Sequence, residues 1–552
     1  MDIFKMLDKK RAEIIFILIF VFFAIFLKIG QPWNYSIAHA HPQFFNANDN
    51  FFHASLSEYV KVNGSAAFTP IYMVGGYGDV VGYQPPLLHH LSAMVSNLTG
   101  LQTYDTTYIV VIFLTCFGYI LVYFAIKKVN ETLAILSLPF MLGIYAFAFE
   151  IANAFGMSVF VIGSFFVFAF LWCMENFERK YSFILLALFL SGMAIGHTTE
   201  MIFSLGFLVF YLAVRFFKNG LDKKEIRSVV LGILIFAVIS VYYLIIFYYT
   251  WMKAQPFVFS VMEQPAFAPG FPVTLGSFGV TQFFIYIGML FFVFMLLVKE
   301  DSDKVKVKAA SPVILAGVFF LVIGFTNYIG FGVRAFQTRI FWPVYLSSFM
   351  GLAIYFIPAR FGKWKSRYVY AIAGLLLVIF FFNHYGGLQS GGLIDQKTWD
   401  GFMWIKENTP ENASVFHFYS ALITQPHSIF ATERVPYYVN LDDYIDGIKN
   451  QVVKKEYKSD IFALDDTNIP YRNGLFSYGY HINDPDYKNR TPGMWNMDYY
   501  FLVVGGSDPN PNLITYNRYV GQYLLNQTWI EPAYANDEVV ILKNKEPGRK
   551  PT

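Results

Sequence analysis

Long apolar stretches, separated by short polar segments, occupy the first two thirds of the chain. Eleven of them precede residue 386, and each is long enough for an α-helix that crosses the hydrocarbon core of a membrane. Their bounds are 13–29, 104–126, 132–150, 156–174, 181–197, 200–217, 228–250, 279–298, 311–329, 338–358 and 368–385. The pattern therefore predicts a polytopic α-helical membrane domain of about eleven transmembrane helices over residues 1–385.

Two long polar segments interrupt this domain, at 30–103 and 251–278. If the apolar stretches cross the membrane in alternate directions, both segments are loops on the side opposite to the N-terminus. The second loop is rich in proline and carries a single carboxylate, Glu263. Such a loop is either a lid over a site or an ordinary exposed loop.

The composition changes after residue 385, where a glycine-rich exit from the membrane leads into residues 386–552. Residues 399–407 have helical spacing and precede a Thr-Pro pair, which favours a helix end. Residues 499–504 and 538–542 are short apolar runs typical of buried strands. This part of the chain is predicted to be one soluble α/β or α+β domain.

Lysine and arginine are distributed unevenly over the loops. The loops on the N-terminal side carry twenty of these residues, whereas the opposite loops carry only Lys61, Lys253, Arg334 and Arg339. Short cytoplasmic loops of membrane proteins are enriched in positive charge. The sequence therefore predicts a protein of the cell membrane, with a cytoplasmic N-terminus and an extracytoplasmic C-terminal domain.

The composition excludes several other classes of protein. The chain has 552 residues, 56% of them hydrophobic and 20% aromatic, which is not the composition of a large soluble enzyme. The basic residues are dispersed over six loops, so nucleic acid is not an expected partner. The two cysteines, Cys116 and Cys173, fall in different predicted helices, which leaves the outer domain without a disulfide.

The first long loop carries the most concentrated polar chemistry. Asp49 follows the first helix by about twenty residues, His53 comes four residues later, and Tyr83 lies in a segment rich in glycine and proline. A partly desolvated carboxylate at the membrane face can take a proton from a hydroxyl group. The alternative interpretation is that Asp49 caps the helix that begins near Phe51.

Five of the ten histidines lie in this loop, which raises the question of a metal site. The spacings His39/His41 and His89/His90 do not match a pair of ligands one helical turn apart, and no cysteine accompanies them. We therefore expect histidines that contact substrate or solvent rather than a structural zinc.

Further ionisable residues fall in short turns at the same predicted depth as Asp49. Each residue alone is explained as an interfacial anchor, because charges at helix ends cost less than charges at the membrane midplane. Carboxylates and arginines that share one face indicate a site for a phosphate-bearing lipid, with the arginines on the phosphate. These residues are Glu150, His197, Glu200, Arg334 and Arg339.

With these residues in place, the layout resembles the GT-C glycosyltransferases, integral membrane enzymes that use polyprenyl-phosphate or polyprenyl-diphosphate sugar donors. Residues 49–53, 75–77 and 83–87 are similar to prokaryotic membrane proteins labelled as related to 6-pyruvoyl-tetrahydropterin synthase, and no pterin chemistry follows from that label. Residues 399–415 and 260–265 are similar to the outer domain and the fifth outer loop of archaeal oligosaccharyltransferase-like proteins. Residues 338–343 look like the arginine-containing start of a late span in the same group.

The resemblance implies a sugar or glycan transferred from a polyprenyl-linked donor to a glycan, lipid or protein acceptor at the outer face. Asp49 would take the acceptor proton or bind a metal, and Arg334 and Arg339 would neutralise the donor phosphate. Glu150 and Glu263 would orient sugar hydroxyls or, in an oligosaccharyltransferase-like mechanism, join Asp49 in binding Mg²⁺ or Mn²⁺. The residues that would contact substrate are His53, Tyr83, His197, Glu200, Arg334 and Arg339.

Three other functions stay open at this point. An oligosaccharyltransferase that modifies asparagine in proteins would need an acceptor motif Trp-Trp-Asp-Tyr-Gly, which is absent, so a generic GT-C transferase is preferred. A transporter would show paired repeats and midplane charges, and we find neither. A non-catalytic surface scaffold remains, because a fold does not fix a function.

Overall fold

The computed structural model consists of a helical bundle and an α/β domain stacked on one end of it. It describes residues 9–43, 45, 48–73, 82, 84–145, 160–220, 222–248, 273–297, 311–326, 335–361, 366–388, 392–418, 426–439, 441–457, 459–461, 492–506 and 511–551.

Every one of the eleven predicted apolar stretches contains helix. The bundle comprises α1 (Lys9–Ile29), α4 (Thr103–Val129), α5 (Glu131–Ser137), α6 (Phe160–Glu175), α7 (Ser182–Gly196), α8 (Thr198–Asn219), α9 (Lys223–Phe247), α10 (Gln282–Leu297), α11 (Pro312–Ile323), α12 (Ala335–Ile340), α13 (Trp342–Tyr345), α14 (Ser347–Phe361) and α15 (Ser366–Tyr385).

Six helices of the described part are long and apolar enough to cross a membrane. They cover Lys10–Ile29, Thr103–Val129, Thr198–Phe217, Lys223–Ile246, Leu275–Leu296 and Tyr368–Tyr385. The other apolar helices are shorter, so the number of crossings and the orientation of the termini stay predictions. The membrane character itself is confirmed, because large apolar side chains such as Val238 and Leu290 lie exposed on outward faces of these helices.

Within the described residues, the predicted spans at 132–150 and 338–358 are interrupted by proline and are not continuous α-helices. The span at 132–150 changes to a 3₁₀-helix over Leu138–Leu142, where Pro139 supplies no backbone N–H, and the helix stops at Gly143. The span at 338–358 is divided among α12, α13 and α14, with Pro343 at the start of α13. Proline at these points breaks the hydrogen-bond ladder that a single helix would need.

The first long loop folds into two helices, α2 (Asn48–Asn63) and α3 (Leu87–Thr99). The two helices pack against each other and against the start of α4, and α3 also contacts α7. Short 3₁₀-helices at Gln31–Trp33 and Ile71–Met73 complete the loop. The helix predicted after Asp49 is therefore present, and the loop forms a layer over one end of the bundle.

The C-terminal domain contains a six-stranded mixed sheet in the order β3-β2-β1-β4-β6-β5. Its central strand β1 is parallel to both neighbours, whereas β3, β6 and β5 add antiparallel edges. Both predicted strands are confirmed, as β4 and β6. The strands are β1 (Val415–His417), β2 (Pro436–Val439), β3 (Ser459–Ile461), β4 (Tyr499–Val503), β5 (Ile530–Ala535) and β6 (Val539–Asn544).

Side chains alternate between the two faces of this sheet, as the pleat of a strand requires. Tyr499, Phe501 and Val503 lie on the face toward α16 (Gln396–Asn408) and join the hydrophobic core that continues into the bundle. Tyr500 and Leu502 point the other way and form a second core, which α17 (Leu441–Asn450) and α18 (Pro511–Leu525) cover. The helix predicted at 399–407 is α16, and the domain is of the α/β type.

The α/β domain is joined to the first loop by specific contacts. The backbone N–H of Leu393 donates to the carbonyl of Phe45 at 3.0 Å, and Nδ1 of His41 lies 2.9 Å from Oε1 of Gln396. Phe430, on the 3₁₀-helix Pro426–Thr432, packs with Phe52 in a small separate apolar cluster. These contacts seat the domain on α2 and place the start of that helix near the junction.

Candidate functional site

Asp49 is the second residue of α2, and its side chain is exposed. A carboxylate in the first turn of a helix is stabilised by the partial positive charge of the unpaired backbone N–H groups there. Asp49 and His53 are four residues apart and share one face of α2. The structure therefore places two of the residues that the sequence selected in this loop one helical turn apart.

His53 is buried against a histidine of the neighbouring helix. Its Nδ1 lies 2.9 Å from Nε2 of His89, and the two rings are nearly parallel with centroids 5.2 Å apart. Burial holds the pKa of His89 well below its usual range, so this ring is neutral at pH 7. One of the two nitrogens must carry a hydrogen and the other must accept it, so the contact fixes the relative tautomers of the pair.

A second histidine of the first loop is paired with a carboxylate that sequence reasoning missed. Asp105, in the first turn of α4, is 1% exposed and accepts hydrogen bonds from the backbone N–H of His39 at 3.0 Å and from its Nδ1 at 2.7 Å. Nε2 of the same ring lies 3.1 Å from the carbonyl of Trp33. The signal available in the sequence was an acidic residue at the start of an apolar helix, which requires a partner when buried.

His197 and Glu200 form a buried pair in the turn between α7 and α8. Nδ1 of His197 is hydrogen-bonded to Oε2 of Glu200, and the pair packs against Gly163 of α6. A Cβ atom at Gly163 would stand 2.9 Å from the His197 Cβ and 3.0 Å from Oε2 of Glu200. The pair is thus packed against α6, and its assignment to substrate contact stays a prediction.

Arg339 is completely buried near the end of α12. Its Nε donates a 2.7 Å hydrogen bond to the carbonyl of Gly324, which follows the last residue of α11. The carbonyl groups at a helix C-terminus lack partners within the helix and favour a cation. Arg339 therefore ties two helix ends together, and its assignment to a donor phosphate stays a prediction.

Four of the predicted site residues lie outside the described residues, namely Tyr83, Glu150, Glu263 and Arg334. Of the three predicted metal ligands, only Asp49 is described. Within the described ranges, no group of three or more histidine, cysteine or acidic side chains is arranged to hold a metal ion. The described residues therefore do not by themselves compose a site for Mg²⁺ or Mn²⁺, and we derive no step through a metal.

An acidic pair lies at the junction between the bundle and the α/β domain. Asp395 caps α16 by accepting a hydrogen bond from the backbone N–H of Thr398 at 2.8 Å, and it is also hydrogen-bonded to Glu538. This hydrogen bond, together with burial, raises the pKa of Glu538 to about 7. The two carboxyl groups therefore share a proton at neutral pH.

Replacement of Glu538 by glutamine is expected to remove part of the pH dependence of stability. The folded protein holds the Glu538 proton more tightly than the unfolded chain does. The stabilisation of the fold by this tighter proton binding is thus complete below pH 4.5 and is lost as the pH rises through about 7. A glutamine amide donates to Asp395 at every pH. The apparent Tm of the variant in detergent should rise by about 2 °C at pH 8 and hardly at pH 5. An equal change at both pH values would contradict the shared proton.

No family model matches the sequence, and no curated protein is significantly similar to it. Solved structures do match. The archaeal oligosaccharyltransferase AglB from Archaeoglobus fulgidus, solved with an inhibitory peptide and a dolichol-phosphate, has a TM-score of 0.57 at 14% identity. That match covers 90% of this chain and 70% of AglB.

Two further matches extend over almost the whole chain. ArnT from Cupriavidus metallidurans, bound to undecaprenyl phosphate, has a TM-score of 0.53 at 10% identity and covers 96% of this chain and 97% of ArnT. Arabinofuranosyltransferase AftD from Mycobacteria has a TM-score of 0.52 at 10% identity and covers 96% of this chain and 40% of AftD. The chain therefore has the GT-C fold, and the resemblance drawn from the sequence is confirmed at the level of the fold.

Proposed function

We propose that this chain, with the fold of the GT-C glycosyltransferases, transfers a sugar or glycan from a polyprenyl-linked phosphate or diphosphate to an acceptor at the outer membrane face. The observation that carries the proposal is the position of Asp49. It is an exposed carboxylate at the start of a loop helix, on the end of an apolar bundle that the α/β domain covers. A lipid-linked donor held in the bilayer would present its headgroup at this level.

The reaction that we propose is a displacement at the anomeric carbon. A hydroxyl or amide of the acceptor forms the new bond, the bond from that carbon to the phosphate oxygen breaks, and the phosphate leaves with the electron pair. The carboxylate of Asp49 receives the acceptor proton. His53, one helical turn from Asp49 on α2 and held by His89, is proposed to contact the acceptor near that carboxylate.

The negative charge that develops on the leaving phosphate needs positive groups. Arg334 and Arg339 are the arginines proposed for this role, and the hydrogen bond from Arg339 to Gly324 sets the position of its guanidinium. The polyprenyl phosphates bound to two structural neighbours support a carrier lipid of this class. His197 and Glu200 are proposed to contact the sugar, with their hydrogen bond fixing the ring orientation.

Two observations bear on the class of acceptor. AglB was solved with an inhibitory peptide, which favours a peptide acceptor by analogy of fold. The missing Trp-Trp-Asp-Tyr-Gly motif favours a glycan or lipid acceptor instead. We therefore propose transfer to a glycan or lipid and keep asparagine in a sequon peptide as the competing acceptor.

The test uses the full-length protein in detergent with radiolabelled polyprenyl-phosphate and polyprenyl-diphosphate sugars. Each donor is offered with a glycan, a lipid or a sequon peptide, with and without EDTA. Label that leaves the lipid and appears on an acceptor establishes transfer, and the labelled acceptor identifies its class. Loss of transfer in EDTA would favour an oligosaccharyltransferase-like metal mechanism. If the protein neither turns over nor binds any donor, the proposal is overturned in favour of a transporter or scaffold.

A further inference from the structure

A cavity lies between the first long loop and the α/β domain, and its lining includes neither Arg339 nor the His197–Glu200 pair. One wall is formed by α2 and the start of α4, and the other by α16 and the 3₁₀-helix Pro426–Thr432. The cavity contains about 530 Å³ of empty space, its open mouth included.

The apolar part of the cavity consists of aromatic rings that are held in place. Trp399 of α16 packs edge-to-face on Tyr104 of α4, with centroids 5.6 Å apart and planes at 87°. The hydroxyl of Tyr104 donates to the carbonyl of His39 at 2.8 Å. Phe45 and Phe51 form a second edge-to-face pair, with centroids 5.1 Å apart. These ring contacts fix the cavity wall, so the wall loses little side-chain entropy when a ligand binds.

Charged groups from both walls complete the lining. Nζ of Lys406 donates to Oε1 of Glu433 at 2.6 Å, and each of these side chains is 31% exposed. Across the cavity, Oε2 of Glu58 accepts a 2.9 Å hydrogen bond from Oγ1 of Thr103. Carboxylates are acceptors with several lone pairs, so both keep capacity for further donors.

The backbone at Glu433 is held in an unfavourable conformation. Its φ of 51° lies in the left-handed region, which residues other than glycine rarely adopt. The next residue, Arg434, fixes this turn by donating to Oγ1 of Thr409 at 3.0 Å and to the carbonyl of Lys406 at 2.8 Å. Strained residues persist where the surroundings over-determine them, and they cluster at ligand sites. Here the strained turn directs the Glu433 carboxylate to the cavity.

We propose that this cavity binds one neutral sugar unit of a glycan. A pyranose presents a face of C–H groups and a rim of hydroxyls, and the cavity is lined both by apolar side chains, among them Trp399, and by charged groups. Its hydroxyls would donate to Glu433 and Glu58 and accept from Lys406. The choice of a sugar rests on the proposed function, whereas the binding itself needs no turnover.

The sugar can come from two sources, the acceptor glycan or the sugar of the lipid-linked donor. The experiment measures binding of defined methyl glycosides and short oligosaccharides to the full-length protein in detergent by saturation-transfer NMR. A parallel arm measures binding of the radiolabelled polyprenyl-linked sugars. If a variant no longer binds the free oligosaccharides but still binds the lipid-linked sugars, the bound sugar belongs to the acceptor. If it loses binding of only the lipid-linked sugars, the bound sugar belongs to the donor.

Two variants and one matched control test the site. Glu433→Gln removes the charge of one carboxylate and should weaken binding about 10- to 100-fold, because hydrogen bonds to charged groups are the stronger ones. Ser55→Leu narrows the cavity with an apolar side chain and should abolish binding. The control is Glu531→Gln, because Glu531 also pairs with a lysine, Lys545, at 2.6 Å in the same domain but outside the cavity.

The outcomes separate this proposal from the proposed function. Loss of binding in Glu433→Gln and Ser55→Leu, with wild-type binding in Glu531→Gln, supports the cavity even where no transfer is observed. No binding of any probe by the wild type, unchanged binding in both variants, or equal loss in the control would overturn it. Transfer by the wild type under those conditions would leave the proposed function standing. If Ser55→Leu does not fold, the comparison of Glu433→Gln with Glu531→Gln decides.

Discussion

Replacement of Asp49 by asparagine is expected to lower sugar transfer at least 100-fold while leaving the fold intact. The side chain is exposed, and asparagine keeps its shape, so little packing is lost. What disappears is the negative charge and the capacity to take a proton, which contributes about 10²- to 10⁴-fold in enzymes that use general base catalysis. The measurement is the initial rate of label transfer from the best donor at saturating acceptor.

Asp442→Asn is the matched control for this variant. Asp442 is also an exposed aspartate in the first turn of a helix, so the change removes the same charge beside the same kind of helix terminus. The control should keep wild-type activity. Transfer at more than about one tenth of the wild-type rate in Asp49→Asn would overturn the assignment of Asp49 as the base.

Replacement of Gly288 by alanine adds one methyl group to α10 and is expected to destabilise the bundle strongly, unlike the same replacement at Gly374. Gly288 of α10 faces α14, and a Cβ atom there would lie 1.9 Å from the carbonyl oxygen of Phe349. The obstacle is backbone, which cannot rotate away as a side chain would. Small residues permit close helix contacts in membranes, and overpacking costs about 1–3 kcal/mol or more.

Gly374→Ala supplies the comparison. Gly374 lies within α15, and a Cβ atom there would meet nothing within 4 Å. Alanine in an open helical position should be neutral or stabilising by roughly 0.5–1 kcal/mol. Thermal melting in detergent should show an apparent Tm lowered by about 5 °C for Gly288→Ala and unchanged or raised for Gly374→Ala. Equal melting temperatures of the two variants would show that α10 and α14 separate readily.

Local patterns in the sequence were enough to predict that each apolar stretch contains helix, and to predict strands β4 and β6 and the helix after Asp49. Hydrophobic runs of suitable length dictate helix in a membrane, because every backbone group there must be paired within the chain. The same patterns did not predict where helices break. The 3₁₀ turn after Ser137 and the division around Pro343 depend on prolines whose effects are decided by neighbouring helices.

The candidate site was predictable only where its residues are close in sequence. Asp49 with His53, and His197 with Glu200, are each within four residues and were found together. The contact of His39 with Asp105 joins positions far apart along the chain. The Lys406–Glu433 pair depends on a left-handed residue that no local preference indicates. Such contacts follow from tertiary packing, which a single sequence does not reveal.

The seating of the α/β domain on the first loop has a consequence for how the protein is made. His41 finds its partner Gln396 across 355 positions of the chain. A ribosome that adds about 5–20 residues per second needs roughly 20–70 s to synthesise that stretch. During this interval Phe52 of α2 lacks its neighbour Phe430 of the α/β domain. The contacts between the first long loop and the α/β domain can therefore form only after most of the chain has been synthesised.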